Sequence, residues 1–577
     1  MKLYKISLLA IGAALFTAAC SDMDEQLYEG GALTTEQVTE TMAAVPSRVD
    51  ATFSGMYTMM ANGGAGRVFT NSSRADDFGF VMSAISLSLE GGDAFGSDNG
   101  YNWFSVASEL SNRDPNYANP YIRYKAPYDQ AGVANSLIAS LEGMIEASED
   151  SATIANATYQ LAQAHAIRAF DYMALAPYFA GNYENHQNDL CIPLLGTDET
   201  FDFTNNPRAT VAEVYKQIME DLDFAVENLE GFDRGVNNKT AQTYKETANN
   251  KIYIDKNVAL GLRARANLYM GKWAEAAADA DAAMQGYTPA SIADVSVPAF
   301  CQLQEKNWMW GILITEAQAS DYGYRTSASW VSAFTGNGYG PATANTPCIN
   351  NLLYNKIPAT DVRKGWWLDA TKHSDNWANM VWTDPKSGKT AKGDDIAGFV
   401  DEDGNKIEFL PYTNVKFGMK SGCSSVTNDN DWPLMRVEEM ILIKAEGLLK
   451  SGNEGEARSV LDNFVKTYRD PAYSSAATGR SLADEIWFQR RIELWMEGFS
   501  MADARRLNKP IVRFHGDKIA ESNCPAAFMF NIAPDDPWLN MRFPQTEVDA
   551  NHGIIDNEGG TQPKSEQNPN LRDGVTD

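Results

Sequence analysis

The chain runs to 577 residues, 44% of them hydrophobic, which is enough to bury a large core. Asp and Glu outnumber Lys and Arg by 76 to 48, a formal net charge of −28. So acidic a surface, with no basic cluster to offset it, repels phosphate backbones and argues against nucleic acid as a partner.

The first residues carry a targeting pattern. Lys2 and Lys5 precede an apolar run from Ile6 to Phe16, and Thr17, Ala18 and Ala19 lead into Cys20. This is a secretory signal ending at a cysteine, with a core too short to span a bilayer. It resembles a bacterial lipoprotein signal, which implies removal of residues 1–19 and lipidation of Cys20. The acidic SDMDE that follows, with Asp22, Asp24 and Glu25, resembles the export signal of lipoproteins on the outer face of the outer membrane. No later apolar stretch is long enough for a membrane helix, so the expected membrane attachment is the lipid alone, followed by a linker over residues 20–45.

Helical periodicity dominates the body of the chain. Apolar residues recur at three and four residue spacing over Tyr121 to Leu141, Thr153 to Leu175, Thr210 to Leu229 and Leu482 to Leu507, with Pro177 and Pro510 closing two of these segments. Two further segments repeat. Ala264, Leu268, Gly271 and Ala276 share their spacing with Ala445, Leu449, Gly452 and Ala457. Each reads as helix, glycine turn, helix: small alanines allow close approach, and the glycine accepts the left-handed geometry that ends the first helix. The pattern resembles a tetratricopeptide unit.

Between Pro289 and Trp432 the composition shifts to Gly, Pro, Asn, Thr and aromatic residues, with turn signals at Gly336-Asn337-Gly338, Asp384-Pro385 and Asp403-Gly404. Loops and short β-hairpins are expected there. The polar stretch after Pro544 is expected to be irregular. The fold class is therefore mainly α: a tetratricopeptide-like scaffold over about 46–288 and 432–510, a loop-rich insertion over about 289–431, and a tail over 545–577. The other five cysteines, Cys191, Cys301, Cys348, Cys423 and Cys524, are too scattered for a disulfide framework or a zinc site, and buried thiols are their expected state.

With these elements in order, the chain resembles a known family. The lipoprotein start, AHAIRAFDYMALAPYF, NVALGLRARANLYMGKWAEAA, RVEEMILIKAEGLLKSG, QRRIELWMEGFSMADARRL and FPQTEVDAN together look like the SusD/RagB family of surface glycan-binding lipoproteins. The resemblance implies a single domain over 46–577 that captures a glycan. It also implies delivery to a SusC-like TonB-dependent outer-membrane barrel, with the chain held at the cell exterior by its lipid. The alternative is a tetratricopeptide-like surface protein that binds peptide or protein without sugar specificity.

Sugar binding needs flat aromatic surfaces beside polar groups that exchange hydrogen bonds with water. Seven of the 13 tryptophans, Trp308, Trp310, Trp330, Trp366, Trp367, Trp377 and Trp382, fall in the segment read as loops, where aromatic rings are harder to assign to a core. Trp308, Trp310, Trp366 and Trp367 have apolar neighbours that suit a local core. Trp330, among serines, and Tyr322 and Tyr324, beside Arg325, have a mixed setting closer to a sugar platform. A second candidate is the glycine-rich GGDAFGSDNGYNWFS, where Asp98, Asn99, Tyr101, Asn102 and Trp103 lie together, with Arg74, Asp76 and Asp77 upstream. The family resemblance adds weight to this position, since its ligand is often held partly by a loop in this part of the chain.

Catalysis has no positive support in the sequence. Glu438 and Glu439 read as a solvated helix face rather than glycosidase acids, the five histidines are dispersed, and neither HExxH nor GxSxG occurs. Asp401 to Asn405 offers oxygen ligands of the kind calcium prefers, but its glycine comes too early for an EF-hand loop. A hairpin closed by Asp403-Gly404 is the favoured reading there, with calcium as the alternative. No resident cofactor or metal site is otherwise indicated.

Overall fold

The computed structural model describes residues 46–66, 74–100, 102–110, 113–196, 201–234, 250–342 and 345–577. Cys20 and the proposed signal lie outside these residues. No helix among them is long and apolar enough to cross a membrane.

The frame is a series of antiparallel helices. Helix α1 spans Pro46–Gly66, α2 Gly79–Glu90, α3 Ala118–Ala147, α4 Ser151–Met173, α5 Val211–Asn228, α6 Lys256–Tyr269 and α7 Trp273–Ala283. After the loop-rich segment come α8 Val437–Lys450, α9 Glu454–Tyr468, α10 Leu482–Glu493 and α11 Ser500–Arg506. From α3 to α9 each helix packs on the next, and α7 stacks on α8 although more than 150 residues of chain separate them. Local chemistry sets the starts: Asp150 caps α4, Asp255 caps α6, and Thr210 with Glu213 forms a capping box on α5.

The two glycine turns behave as the repeat requires. Gly271 has φ +70° and Gly452 φ +94°. In each, the next residue closes the helix: Lys272 N donates to Asn267 O at 2.9 Å and Asn453 N to Leu448 O at 2.8 Å. These are matching Schellman ends. Ala264, Ala276, Ala445 and Ala457 are all fully buried where the paired helices meet.

The late helix departs from the sequence reading. The segment from Leu482 to Leu507 is two helices, broken between Glu493 and Ser500. Met496 and Gly498 take φ of +66° and +92° in the break, and a Cβ on Gly498 would sit 3.1 Å from Ala84 of α2. Side-chain periodicity continues through the break and so conceals it. Glu438 and Glu439 also require correction. Both are fully buried, not solvated. Glu439 pairs with Arg265 at 2.8 Å, and Glu438 with Arg469 at 3.0 Å and Arg436 at 3.1 Å.

The insertion leaves and rejoins the frame at one place. Eight short strands occur among the described residues: β1 Ala94–Phe95, β2 Leu190–Pro193, β3 Arg208–Thr210, β4 Trp308–Ile312, β5 Cys348–Ile349, β6 Val381–Thr383, β7 Thr390–Lys392 and β8 Trp432–Arg436. Strand β4 pairs antiparallel with β8, in the register Trp308 to Arg436 and Ile312 to Trp432. Within it, Val381–Thr383 and Thr390–Lys392 form a hairpin. A separate core of Ala328, Phe334, Leu368, Trp377, Trp382, Ile396, Phe409 and Val415 holds the insertion together.

No side chain or backbone lies within 4 Å of a Cβ placed on Gly452, so its backbone angle is the whole constraint. Gly452→Val is expected to cost about 1–3 kcal/mol of stability, and Gly452→Asn clearly less, because Asn tolerates the left-handed region. Equal denaturant midpoints for the two variants would contradict this.

Candidate functional site

The two candidate loops, more than 200 residues apart in sequence, are stitched together. Strand β1, Ala94–Phe95, pairs antiparallel with β5, Cys348–Ile349. Asn350 reinforces the seam, its Nδ2 donating to Gly92 O at 2.7 Å and its backbone N to Asp93 O at 2.9 Å. Just beyond the strands, Ser97 donates to the Asn345 side-chain oxygen, and Asn345 Nδ2 donates to Asn99 Oδ1 at 3.3 Å. The glycine-rich loop therefore lies along the edge of the insertion.

An aromatic ladder rises from the core at this junction. Trp330 stacks on Tyr339 with centroids 4.7 Å apart and planes 6° apart, and the edge of Tyr324 meets Tyr339 at 5.2 Å. On its inner side Trp330 meets Phe104 at 4.9 Å in a T-shaped contact. Its indole N–H donates to Ala75 O at 3.0 Å, tying the ladder to the segment that carries Arg74, Asp76 and Asp77. Asn428 supports the outer rungs, donating to Asn337 O at 2.8 Å and Gly323 O at 3.3 Å. The Arg74 guanidinium lies 5.0 Å from the Trp103 ring centre and holds Asp76 at 2.9 Å. Burial pushes the Asp76 carboxyl up from its usual range, against the pull of Arg74.

The predicted residues divide by exposure. Tyr324, at 46%, and Asp98 are exposed, and Trp103 and Asn99 are half-buried at the same junction. Asn102 is buried and shapes its loop, donating to Ser97 O at 2.5 Å and accepting from Phe104 N at 3.0 Å. Asp77 is fully buried. Tyr101 lies outside the described residues. Trp330 is only 3% exposed and Tyr322 7%, so neither offers a face to a sugar; Trp330 supports the ladder from beneath. Arg325 is buried, donating to Tyr322 O at 3.0 Å and Asp321 O at 3.2 Å.

Trp308, Trp310, Trp366 and Trp367 lie in the core, as their apolar neighbours lead one to expect, and Trp330, Trp377 and Trp382 are buried as well. All seven tryptophans from Trp308 to Trp382 are 7% exposed or less. Trp377 and Trp382 pack in the insertion's own core, whereas Trp308, Trp310, Trp330, Trp366 and Trp367 join the main core with the helices, a covering that composition alone does not show. Tyr339, Asn345 and Phe104 complete the junction. Tyr339 stands out in the sequence as one more aromatic residue among turns, whereas nothing local marks Asn345.

Asp401 to Asn405 forms the expected hairpin. Gly404 has φ +84°, and Asn405 donates to the Asp401 carboxylate through its backbone at 2.7 Å and its side chain at 2.9 Å. Asp401 is thus spent within the turn. No group of three or more His, Cys, Asp or Glu side chains poised for a metal occurs among the described residues. The described cysteines are all free thiols. Burial pushes Cys191 and Cys524 up to about 12, which makes them poor nucleophiles.

The ladder separates support from surface in a measurable way. Trp330→Ala is expected to cost about 3–5 kcal/mol, because it removes a packed ring beneath the site. Tyr324→Ala is expected to cost roughly 1 kcal/mol or less, since its outer face has no protein neighbour to lose. Thermal unfolding of both variants checks the assignment, and similar losses of stability would refute it.

Comparison with known proteins fits this architecture. Residues 314–568 match the model of the SusD family, and residues 37–231 match a model described as starch-binding, associating with the outer membrane. A SusD-like carbohydrate-binding protein from Bacteroides vulgatus is 21% identical, with a TM-score of 0.66 over 88% of this chain and 97% of its own. A putative sugar-binding protein from the same organism is 19% identical, with a TM-score of 0.66 over 90% and 99%. A laminarin-binding SusD-like protein is 18% identical, with a TM-score of 0.58 over 89% and 99%. No curated protein sequence matches. With both halves of the chain matched and the whole fold shared, this protein belongs to the SusD/RagB family.

Proposed function

We propose that the chain binds a glycan at the cell surface and hands it to a SusC-like TonB-dependent barrel, without acting on it chemically. The observation that carries this reading is the ladder ending in exposed Tyr324, with half-buried Trp103 and Asn99 on the loop stitched to the same edge. A pyranose laid on Tyr324 or Trp103 covers its C–H face, leaving its hydroxyls for polar groups such as Asp98 and Asn99. The family description of starch binding at the outer membrane supports it, as does the laminarin-binding relative of the same fold. Rings fixed from beneath lose little freedom on binding, which favours affinity without a deep cavity.

A glycan array followed by titration calorimetry tests the site. Tyr324→Ala and Trp103→Ala are each expected to remove about 0.5–1.5 kcal/mol of binding beyond the contact area lost, with unchanged folding. Wild-type affinity in both variants would place the ligand elsewhere.

Anchoring rests on Cys20. Confined to one membrane plane with its transporter, the protein would need only a weak interface, because tethering raises effective concentration. The full-length chain is expected to co-purify with a TonB-dependent barrel from gently solubilised membranes, and Cys20→Ala to leave it soluble in the periplasm. Recovery of the chain alone, with and without glycan, would contradict the partnership.

A further inference from the structure

A cavity of about 470 Å³ lies away from the aromatic ladder, between the end of α11, the Phe179–Leu190 segment and the chain from Pro534 to Asn540. Its size falls in the range typical of small-molecule sites. Two of its lining residues, Arg208 and Arg505, have no carboxylate within ion-pair distance among the described residues. Arg208 is satisfied by carbonyls, those of Cys191 at 2.7 Å, Ile555 at 2.8 Å and Phe179 at 3.1 Å among them. Arg505 is not. Its Nη2 donates to Ala180 O and, at 2.5 Å, to Asn540 Oδ1; its Nε is buried with no acceptor, and Nη1 has no partner among the described residues.

The surroundings make this shortage of negative charge sharper. Behind the cavity wall, Arg113 and Arg123 share the single carboxylate of Glu90, and Arg513 reaches only carbonyls, including Glu90 O at 2.7 Å. Burial first, and then the field of Arg113, pull Arg505 down to about 10. In a chain of net charge −28, this corner gathers guanidiniums around the single buried carboxylate of Glu90, with Asp535 acting on Arg505 from the mouth. At the mouth the polarity reverses. His186 bonds Asp189 at 2.7 Å and lies 3.7 Å from Asp535, and both carboxylates are largely exposed. Asp536 is engaged in capping Trp538 N at 2.9 Å, and Lys509 pairs with Asp484 at 2.8 Å.

We infer that this cavity is a second ligand site, and that it takes a sugar acid whose carboxylate binds Arg505 while its hydroxyls donate to Asp189 and Asp535 at the mouth. An inner cation with unmet N–H groups selects the oxyanion, and outer acceptors select a hydroxylated ring over a bare anion. The inference is independent of the glycan reading, because the cavity shares no residue with the ladder.

Titration calorimetry of the full chain with galacturonate and glucuronate, beside galactose, glucose and acetate, tests it. The sugar acids are expected to bind at least about tenfold more tightly than either the neutral sugars or acetate. Arg505→Met is expected to abolish that preference, whereas Tyr324→Ala and Trp103→Ala leave it intact. If Arg505→Met does not fold, Asn188→Trp at the exposed rim serves instead, and is expected to weaken the acids by blocking the mouth. Equal binding of acids and neutral sugars, acetate binding as tightly as the uronates, no binding of the uronates, or an undisturbed preference in the folded variant would each overturn the assignment.

Discussion

The Glu493 carboxylate is the point on which the two halves of the molecule turn. It accepts from both Arg469 Nε and Nη2 at 2.8 Å, from Arg436 at 3.0 Å and from Arg363 at 3.1 Å. Arg363 also binds Asp361, Arg436 binds Glu497 and Glu438, and Lys416 binds Glu497 at 2.7 Å. The result is four cations and four carboxylates, all buried. Burial alone would raise the Glu493 carboxyl, but Arg469, then Arg436 and Arg363, hold it well below the usual range. These groups come from the end of α9, the β8–α8 junction, the end of α10, and two places in the insertion. A balanced buried network contributes little net stability over a hydrophobic core, but removing one partner costs about 3–5 kcal/mol. Its effect is therefore to specify how the insertion docks on the helices.

The break after α10 lies at Met496 and Gly498, whose positive φ no α-helix continues through, and it seats Gly498 against Ala84 of α2 while Glu493 and Glu497 both reach Arg436. The positive φ at Met496 is a local strain that costs on the order of 1 kcal/mol or more. The motif QRRIELWMEGFSMADARRL, one of several that together carry the family resemblance, thus encodes electrostatic docking as much as helix packing.

This explains which features were legible in the sequence. Gly271 and Gly452 were readable because a Schellman end depends on residues within one turn of the chain. The helices α3, α4 and α5 were readable because one buried face imposes a 3.6-residue period. Glu438 and Glu439 were misread because their partners come from distant segments, and a buried carboxylate looks like a solvated one until those partners are known. Trp330, read among serines as a sugar platform, was misplaced for the same reason. The candidate site lay between these cases: Asp98, Trp103 and Tyr324 carried a compositional signal, but the β1–β5 seam that joins them is only two residues long in each strand.

The pairing of β4 with β8 has an evolutionary consequence. Because the insertion begins and ends on adjacent strands, and α7 continues onto α8 across the gap, the helical stack does not register how much chain lies between them. Loop-closure entropy grows slowly, by about 0.6 kcal/mol for each doubling of length. Outer loops of the segment, such as the hairpin over 381–392, can thus lengthen or shorten while Asp361, Arg363 and Lys416 stay in the charge network. Variation at the rim and conservation of the docked base are separated within one stretch of chain.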